Sequence, residues 1–263
     1  MTSEKVDQGQ PGSRRVEMFA PCGFPQVAPG QALFPLIRQT LAANAAALQD
    51  RDILVVTQKV VSKSENRYVR LDSVEVSERA REVAARCGKD PRMVEMVLRE
   101  SERIVRIAGN VLIVRHRLGF VSANAGIDQS NIDGGDEQML LLPADPDRSA
   151  EALRAEIRRE LNVDVAVVIV DSFGRPWRLG TCGVCLGSAG LVALKDYRGK
   201  SDLKGRRLEV TEVAQADEIA AAASILMGPS DQALPIVVVR GLDLSGSGRA
   251  ADLLRPVEQD LFL

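Results

Sequence analysis

The chain has 263 residues, of which 45% are hydrophobic and 27% are charged, and its formal net charge is −2. This composition is typical of a globular domain with a buried core. The small negative charge argues against a nucleic-acid partner, because such proteins carry a broad basic surface. No apolar run reaches the roughly 18 residues that a membrane-spanning helix needs, so we expect no membrane partner.

The N-terminal residues are polar and contain no apolar signal-peptide segment. We therefore expect a flexible tail over residues 1–15, a cytoplasmic location and a single domain over residues 16–263. No Pro, Gly or Ser-rich linker long enough to separate two domains interrupts that range.

The spacing of apolar residues predicts both strands and helices. In chain order these are a strand at 52–56, a polar loop at 57–59, helices within 76–106 divided by a turn at 88–91, a strand at 111–114, a helix at 147–159, strands at 164–170 and 208–213, an Ala-rich helix near 216–227, and a strand at 235–241. This mixture favours an α/β or α+β fold.

The four cysteines include one Cys-x-x-Cys pair, Cys182 and Cys185. A structural zinc site needs two more soft ligands at matching spacing, whereas Cys22, Cys87 and the single histidine, His116, are isolated. We interpret the pair as buried or turn cysteines, with a metal or redox site as the alternative.

Two basic residues, Lys63 and Arg67, follow the first predicted strand. They are four residues apart and could meet one anionic ligand on a helix face or turn, where an ammonium suits phosphate as a point charge. The alternative is a solvated charged loop.

A second polar segment, Gly126 to Asn131, contains Asp128. Gly126 permits unusual backbone angles or the close approach of a ligand, and the Asn131 amide could bind a base, ribose or phosphate. The alternative is a turn in which Asp128 binds its own backbone.

Asp171 and Ser172 directly follow an apolar run over 167–170. A strand that ends on this pair would present both oxygens at a sheet edge, where α/β proteins bind ligands. Such oxygens suit Mg²⁺ or Mn²⁺ shared with substrate phosphates, and Arg175 or Arg178 nearby could neutralise an anionic substrate. A helix N-cap is the alternative, while a Ser-His-Asp triad has little support in a chain with one histidine.

No Walker-type or Gly-x-Gly-x-x-Gly motif occurs, so a nucleotide site must have another design. Five motifs nevertheless occur in a fixed order, namely Val60-Val61-Ser62-Lys63, Gly126-Ile127-Asp128-x-Ser130-Asn131, Asp171-Ser172-Phe173-Gly174-Arg175-x-Trp177-Arg178, Lys195-Asp196-Tyr197-x-Gly199 and Ala216-Asp217-Glu218-Ile219-Ala220. The ordered set resembles the coenzyme F420-0:L-glutamate ligase family, over roughly residues 17–263.

The resemblance implies an α+β, mixed-sheet fold of the F420 gamma-glutamyl ligase type that works as a homodimer. It implies GTP-dependent addition of L-glutamate to F420-0 through an acyl phosphate, which gives a γ-linked (oligo)glutamate tail. It also implies two divalent cations, Mn²⁺ or Mg²⁺, with K⁺ as an optional activator. The flavin-binding domain that follows in some relatives is expected to be absent.

Carried over by position, the resemblance assigns metal binding to Asp128, Asp171 and Ser172, and catalytic roles to Lys63, Asp128 and Asp171. It places GTP against a set drawn from four segments: Phe24, Pro25, Gln26, Val27, Gln58, Lys63, Asn131, Met227 and Gly228. The wider segment from Ile225 to Asp231 is also expected near the nucleotide.

Two positions depart from the family pattern. Asn66 replaces a frequent glycine, and we expect the loop to survive because Asn tolerates a left-handed backbone. Gln58 replaces a frequent serine, which weakens the expected nucleotide contact there. The alternatives are an amide ligase of the same fold with another carboxylate acceptor, and a nucleotide-binding regulatory protein without turnover. The presence of both aspartates argues against the second.

Overall fold

A computed structural model describes residues 13–129, 137–228 and 231–260. The α-helices are α1 (Leu33–Ala43), α2 (Gln58–Ser64), α3 (Glu78–Cys87), α4 (Pro91–Arg99), α5 (Pro146–Leu161) and α6 (Gln215–Met227). The strands are β1 (Glu17–Phe19), β2 (Ile53–Thr57), β3 (Tyr68–Arg70), β4 (Ser101–Ala108), β5 (Val111–His116), β6 (Val121–Ala123), β7 (Gln138–Leu140), β8 (Ala166–Arg175), β9 (Arg178–Ala189), β10 (Lys195–Asp196), β11 (Glu212–Val213) and β12 (Ile236–Arg240).

The largest sheet has five strands in the order β1-β12-β2-β8-β9. Only β2 and β8 run parallel, and the other neighbours are antiparallel. The fold is therefore α+β with mixed strand directions, as the sequence predicts. The strand β2 is buried on both faces because its four apolar residues alternate between two cores.

Helices cover both faces of this sheet. On one face α1 and α5 pack their apolar residues, such as Ile37 and Ile157, against Leu54 and Ile169. On the other face the small residues of α6 approach the sheet closely. Helix α5 begins at Pro146 after Asp145, whose carboxylate accepts a hydrogen bond from the Arg148 amide at 3.1 Å.

A smaller unit, formed by residues 68–141, has a core of its own. Helices α3 and α4 bury Val94 and Val97 beside Leu112 and Met139. Its strands form the sheets β4-β5-β6 and β3-β7. Asp128 belongs to the last part of this unit, where it pairs with Leu140 at the end of β7.

Four local predictions were wrong in part. In place of the expected polar loop at 57–59, Thr57 ends β2 and the next two residues begin α2, and residues 101–106 belong to strand β4 instead of a helix. Strand pairing at 208–213 is limited to Glu212 and Val213. Strand β8 does not end at Asp171, because it continues in register with β9 to Arg175.

Within the described ranges, none of the helices combines the length and the apolar character that crossing a bilayer requires.

Replacing Gly187 in β9 by alanine should destabilise the fold, because the new Cβ would collide with the backbone of Pro146 at the start of α5. We expect a loss of about 1–3 kcal/mol in the free energy of unfolding, measured by urea denaturation. Gly174→Ala in β8 is the matched control, since open space surrounds that position. Equal stability of the two variants would contradict this tight packing.

Candidate active site

A cavity of about 690 Å³ lies where β2 ends and β8 passes into its hairpin with β9. Its walls come from the segment before α1, helix α2, the loop of Asp128, the β8–β9 ribbon and the end of α6. The lining residues are Phe24, Pro25, Gln26, Val27, Thr57, Gln58, Lys59, Val60, Lys63, Asp128, Val170, Asp171, Ser172, Thr181, Cys182, Gly183, Ser224, Met227, Gly228, Asp231, Ala233, Leu234 and Pro235.

This list contains every predicted site residue that the structure describes. Asn131, the remaining prediction, lies outside the described residues. From the wider segment, Asp231 lines the cavity, whereas the side chain of Ile225 is exposed at the surface.

The backbone on both sides of Asp128 is fixed. Its amide and carbonyl exchange two hydrogen bonds of 2.9 Å with Leu140, so the residue pairs with the end of β7. Before it, Gly126 has a positive φ of 65°, and a side chain there would meet Leu142. The pairing with Leu140 therefore holds Asp128 at a position where it lines the cavity.

Asp171 and Ser172 enter the cavity from β8, where they face Val184 and Gly183 of β9 in register. Gly183 is required at this point because a side chain would collide with the Ala220 carbonyl of α6. The β8–β9 ribbon therefore lies directly on α6, which holds the two oxygen-bearing residues in place.

The two aspartates interact electrostatically although they come from different units. Burial and, to a smaller extent, the negative charge of Asp128 raise the pKa of Asp171 to about 6, although the Ser172 amide and the charge of Lys59 act in the opposite direction. Lys59 forms an ion pair with Asp128, with 2.6 Å between Nζ and Oδ2. The site thus concentrates negative charge that a cation would stabilise.

Helix α2 contributes two further polar side chains to the cavity, Lys63 and Gln58. Lys63 is buried and lies one turn after Lys59, so both ammonium groups belong to the same face of the helix. Gln58 is buried, and its Oε1 accepts a hydrogen bond from Ser62 Oγ at 3.0 Å. A carbonyl oxygen held in this way leaves the Gln58 amide nitrogen as the group that could donate to a ligand.

The oxygen ligands fit Mg²⁺ or Mn²⁺. These ions are commonly bound by one or two carboxylates, with substrate phosphates and water completing the shell. Asp128, Asp171 and the Ser172 hydroxyl form such a set. Among the described residues no group of three His, Cys, Asp or Glu side chains is close enough to hold a metal without further ligands.

A family model, F420-0:Gamma-glutamyl ligase, matches residues 22–241. The chain belongs to this family. The resemblance predicted from the five ordered motifs is thereby confirmed.

Curated relatives cover nearly the same length. The coenzyme F420:L-glutamate ligase of Methanocaldococcus jannaschii is 42% identical over 216 residues, which are 82% of this chain and 86% of the relative. The protein of the same name from Methanopyrus kandleri is 43% identical over 90% of this chain and 93% of its own length. That from Archaeoglobus fulgidus is 43% identical over 94% and 96%, respectively.

Both departures from the family pattern have a structural explanation. Asn66 adopts a positive φ of 52° directly after α2, so the left-handed turn expected of a glycine is kept. Gln58 sits in the cavity as predicted, although its Oε1 is already engaged by Ser62.

Several basic residues lie elsewhere than predicted. Arg67 does not line the cavity with Lys63, because its guanidinium donates to the Leu142 carbonyl and forms an ion pair with Glu100. Arg175 and Arg178 lie at the β8–β9 turn and also do not line it. The predicted contact between these two arginines and a substrate in this cavity is therefore unsupported by the geometry.

The cysteine pair lies on one strand, β9. Cys185 is buried and its thiol donates to the Gly187 carbonyl, while Cys182 is half-buried and lines the cavity. Burial raises the pKa of the Cys185 thiol, which makes it unreactive. The interpretation as packed cysteines is correct for Cys185, although the pair occupies a strand instead of a turn.

Sequence reasoning missed Lys59 altogether. It was assigned to a polar loop, so its position one turn before Lys63 on a common helical face went unnoticed. A helical assignment of residues 58–64 would have indicated two ammonium groups facing one ligand.

A second cavity, of about 720 Å³, lies at the outer edge of β9 and includes Phe120, Phe173 and Arg148. None of the predicted metal or nucleotide residues lines it. The first cavity is therefore the candidate active site, despite its slightly smaller volume.

Replacing Asp171 by asparagine should stabilise the metal-free protein at pH 8. The folded pKa of about 6 exceeds the ordinary 3.8, so ionisation disfavours folding and stability is lost as pH rises from about 4 to above 6. At pH 8 we expect the free energy of unfolding of Asp171→Asn to exceed that of the natural protein by about 1–2 kcal/mol. At pH 3.5 the two should be equal. Urea unfolding in the presence of a chelator measures both, and a difference that does not depend on pH would contradict the assignment.

Proposed function

We propose that this chain is a coenzyme F420:L-glutamate ligase that uses GTP to activate the carboxylate of F420-0 and joins it to the amine of L-glutamate. Within this family, the proposal rests mainly on one observation. Two lysines of α2 and two aspartates from two other segments line one cavity large enough for a nucleotide, namely Lys59, Lys63, Asp128 and Asp171. Its volume of about 690 Å³ lies within the range of small-molecule sites.

The nucleotide would occupy the part of the cavity between the ends of β2 and α6. Phe24 to Val27 and Met227 to Gly228 line opposite walls there. Lys63 would bind the phosphates, because it is held on the rigid face of α2 and its buried ammonium is poorly hydrated.

Two divalent cations, Mn²⁺ or Mg²⁺, would be held by Asp128, Asp171 and Ser172. When bound, such ions neutralise phosphate charge and stabilise its transfer. The paired carboxylates support this assignment, because Asp171 is destabilised in its ionised form by burial and by Asp128. K⁺ would act as an additional activator, for which we assign no residue.

The chemistry needs an activated acyl group, because a carboxylate is a poor acyl donor. An oxygen of the F420-0 carboxylate attacks the γ-phosphorus of GTP, and the bond from that phosphorus to the bridging oxygen breaks to release GDP. The glutamate amine then attacks the acyl carbon, expels inorganic phosphate and loses a proton. The cavity residues hold the phosphates and exclude water, so that positioning contributes most of the rate enhancement.

The test is an assay with purified protein, F420-0, L-glutamate, GTP and Mn²⁺. We expect the acceptor to gain the mass of one or more glutamate residues as GDP is released. Asp128→Asn and Asp171→Asn should each lower the rate at least about 100-fold, since each removes a charged ligand from the phosphate-binding site. Asp243→Asn, at an exposed ion pair away from the cavity, is the control.

GDP release without a change in F420-0 would contradict the proposed acceptor and would instead favour an amide ligase with another carboxylate substrate. No turnover with either acceptor, but tight nucleotide binding, would favour a regulatory protein. Parallel reactions with ATP and with Mg²⁺ determine the nucleotide and metal preference.

We further propose that the ligase is a homodimer. The hairpin formed by β10 and β11 exposes Leu203 and Val210, and the β8–β9 turn exposes Trp177 and Leu179. Apolar side chains in two projecting hairpins are candidates for burial against a second copy.

Replacing both Leu203 and Val210 by aspartate should shift the protein from dimer to monomer, because charges would have to be buried in the interface. Sedimentation equilibrium measures the mass of the natural protein and of the double variant. Lys204→Glu, on the same hairpin, controls for altered charge. A dimer that survives the double change would exclude this hairpin from the interface.

A further inference from the structure

Lys59 lines the cavity and forms an ion pair with a predicted metal ligand, Asp128. Its Nζ lies 2.6 Å from Oδ2 of Asp128, and the two side chains are only 27% and 21% exposed. The contact joins the second residue of α2 to a turn of the smaller unit, so it is made by tertiary structure alone. The residue types of the two segments do not by themselves predict this contact.

A divalent cation would need the same oxygens. Hard cations bind carboxylate oxygen at about 2.0–2.6 Å, a distance comparable to that of the ammonium contact. An ammonium beside a divalent cation in a partly buried site is strongly repelled. Lys59 and a metal ion thus compete for Asp128.

Lys59 would have an alternative partner, a phosphate group, once a nucleotide is bound. Its side chain is a flexible four-carbon stem, and the triphosphate brings several negative charges into the same cavity. Lys63, one turn further along α2, lines the cavity as well. A small rotation of the Lys59 side chain would transfer its charge from Asp128 to a phosphate.

We propose that Lys59 is an exchangeable counter-ion of the cation site, which holds Asp128 until metal and nucleotide bind together and then moves to a nucleotide phosphate. This inference rests on the metal and nucleotide dependence proposed above. Its consequence is thermodynamic coupling: metal alone binds weakly, nucleotide alone binds weakly, and each strengthens the other. Lys59 is in this sense a positioning residue that prevents the site from filling with metal before the nucleotide arrives.

The test measures Mn²⁺ binding by the electron paramagnetic resonance signal of the free ion, with and without a non-hydrolysable GTP analogue. Lys59→Met should bind Mn²⁺ alone at least about tenfold more tightly than the natural protein, because a competing charge is removed. The strengthening of Mn²⁺ binding by the analogue should shrink correspondingly. Lys59→Arg, which keeps the charge, should behave like the natural protein in Mn²⁺ binding without nucleotide.

Lys204→Met, at an exposed position outside the cavity, is the matched control and should change neither affinity. Circular dichroism and thermal melting of each variant establish that it is folded. If Lys59→Met does not fold, Lys59→Gln is measured in its place with the same expected direction.

Unchanged or weaker Mn²⁺ binding by Lys59→Met would overturn the proposal, and so would the absence of Mn²⁺ binding by the natural protein with the analogue present. The ligase assay separates this result from the proposed function. Glutamate addition by the natural protein with no effect of Lys59 on Mn²⁺ binding refutes the inference alone. Coupled Mn²⁺ and nucleotide binding without any ligation refutes the proposed activity alone.

Discussion

The burial of the Asp171 carboxyl group in a cavity that also contains Asp128 is the constraint on which the site depends. Two carboxylates share a partly buried space, and burial raises the pKa of Asp171 to about 6. Such a pair costs folding free energy unless a cation compensates it. The ammonium of Lys59, 2.6 Å from Asp128, supplies one such positive charge. In the proposed mechanism the divalent cations would supply further positive charge, and the burial of the two carboxylates would favour their binding.

The sequence predicted those parts of the fold that depend on local pattern. The apolar runs of β2, β8 and β12, and the capped helix α5, were assigned within a few residues. The errors occurred where the secondary structure of a segment depends on the strand that pairs with it. Residues 101–106 form a strand because they pair with β5, and Asp171 lies within a strand because β9 continues beside it. Neither partner is visible in the segment itself.

The residues of the site could be predicted more completely than the fold. The ordered motifs identified the family, and the resemblance assigned to the site eleven described residues that line one cavity. What the motifs could not give is how these residues interact. The contact of Lys59 with Asp128 and that of Arg67 with Glu100 both depend on how the smaller unit is oriented against the main sheet. Arg67 was predicted beside a phosphate on the basis of its spacing from Lys63, whereas a turn at Asn66 directs it to another partner.

That orientation also determines where the two aspartates lie. Asp128 follows Ile127, a member of the smaller core, whereas Asp171 lies within β8 and follows Val170, a member of a core of the main sheet. The proposed cation site therefore spans two hydrophobic cores, and its geometry is only as rigid as their junction. Arg67 strengthens that junction by donating to the Leu142 carbonyl at 2.9 Å while pairing with Glu100. Cations held by both aspartates would link the two units through this junction, so metal binding is expected to stabilise their contact against local opening.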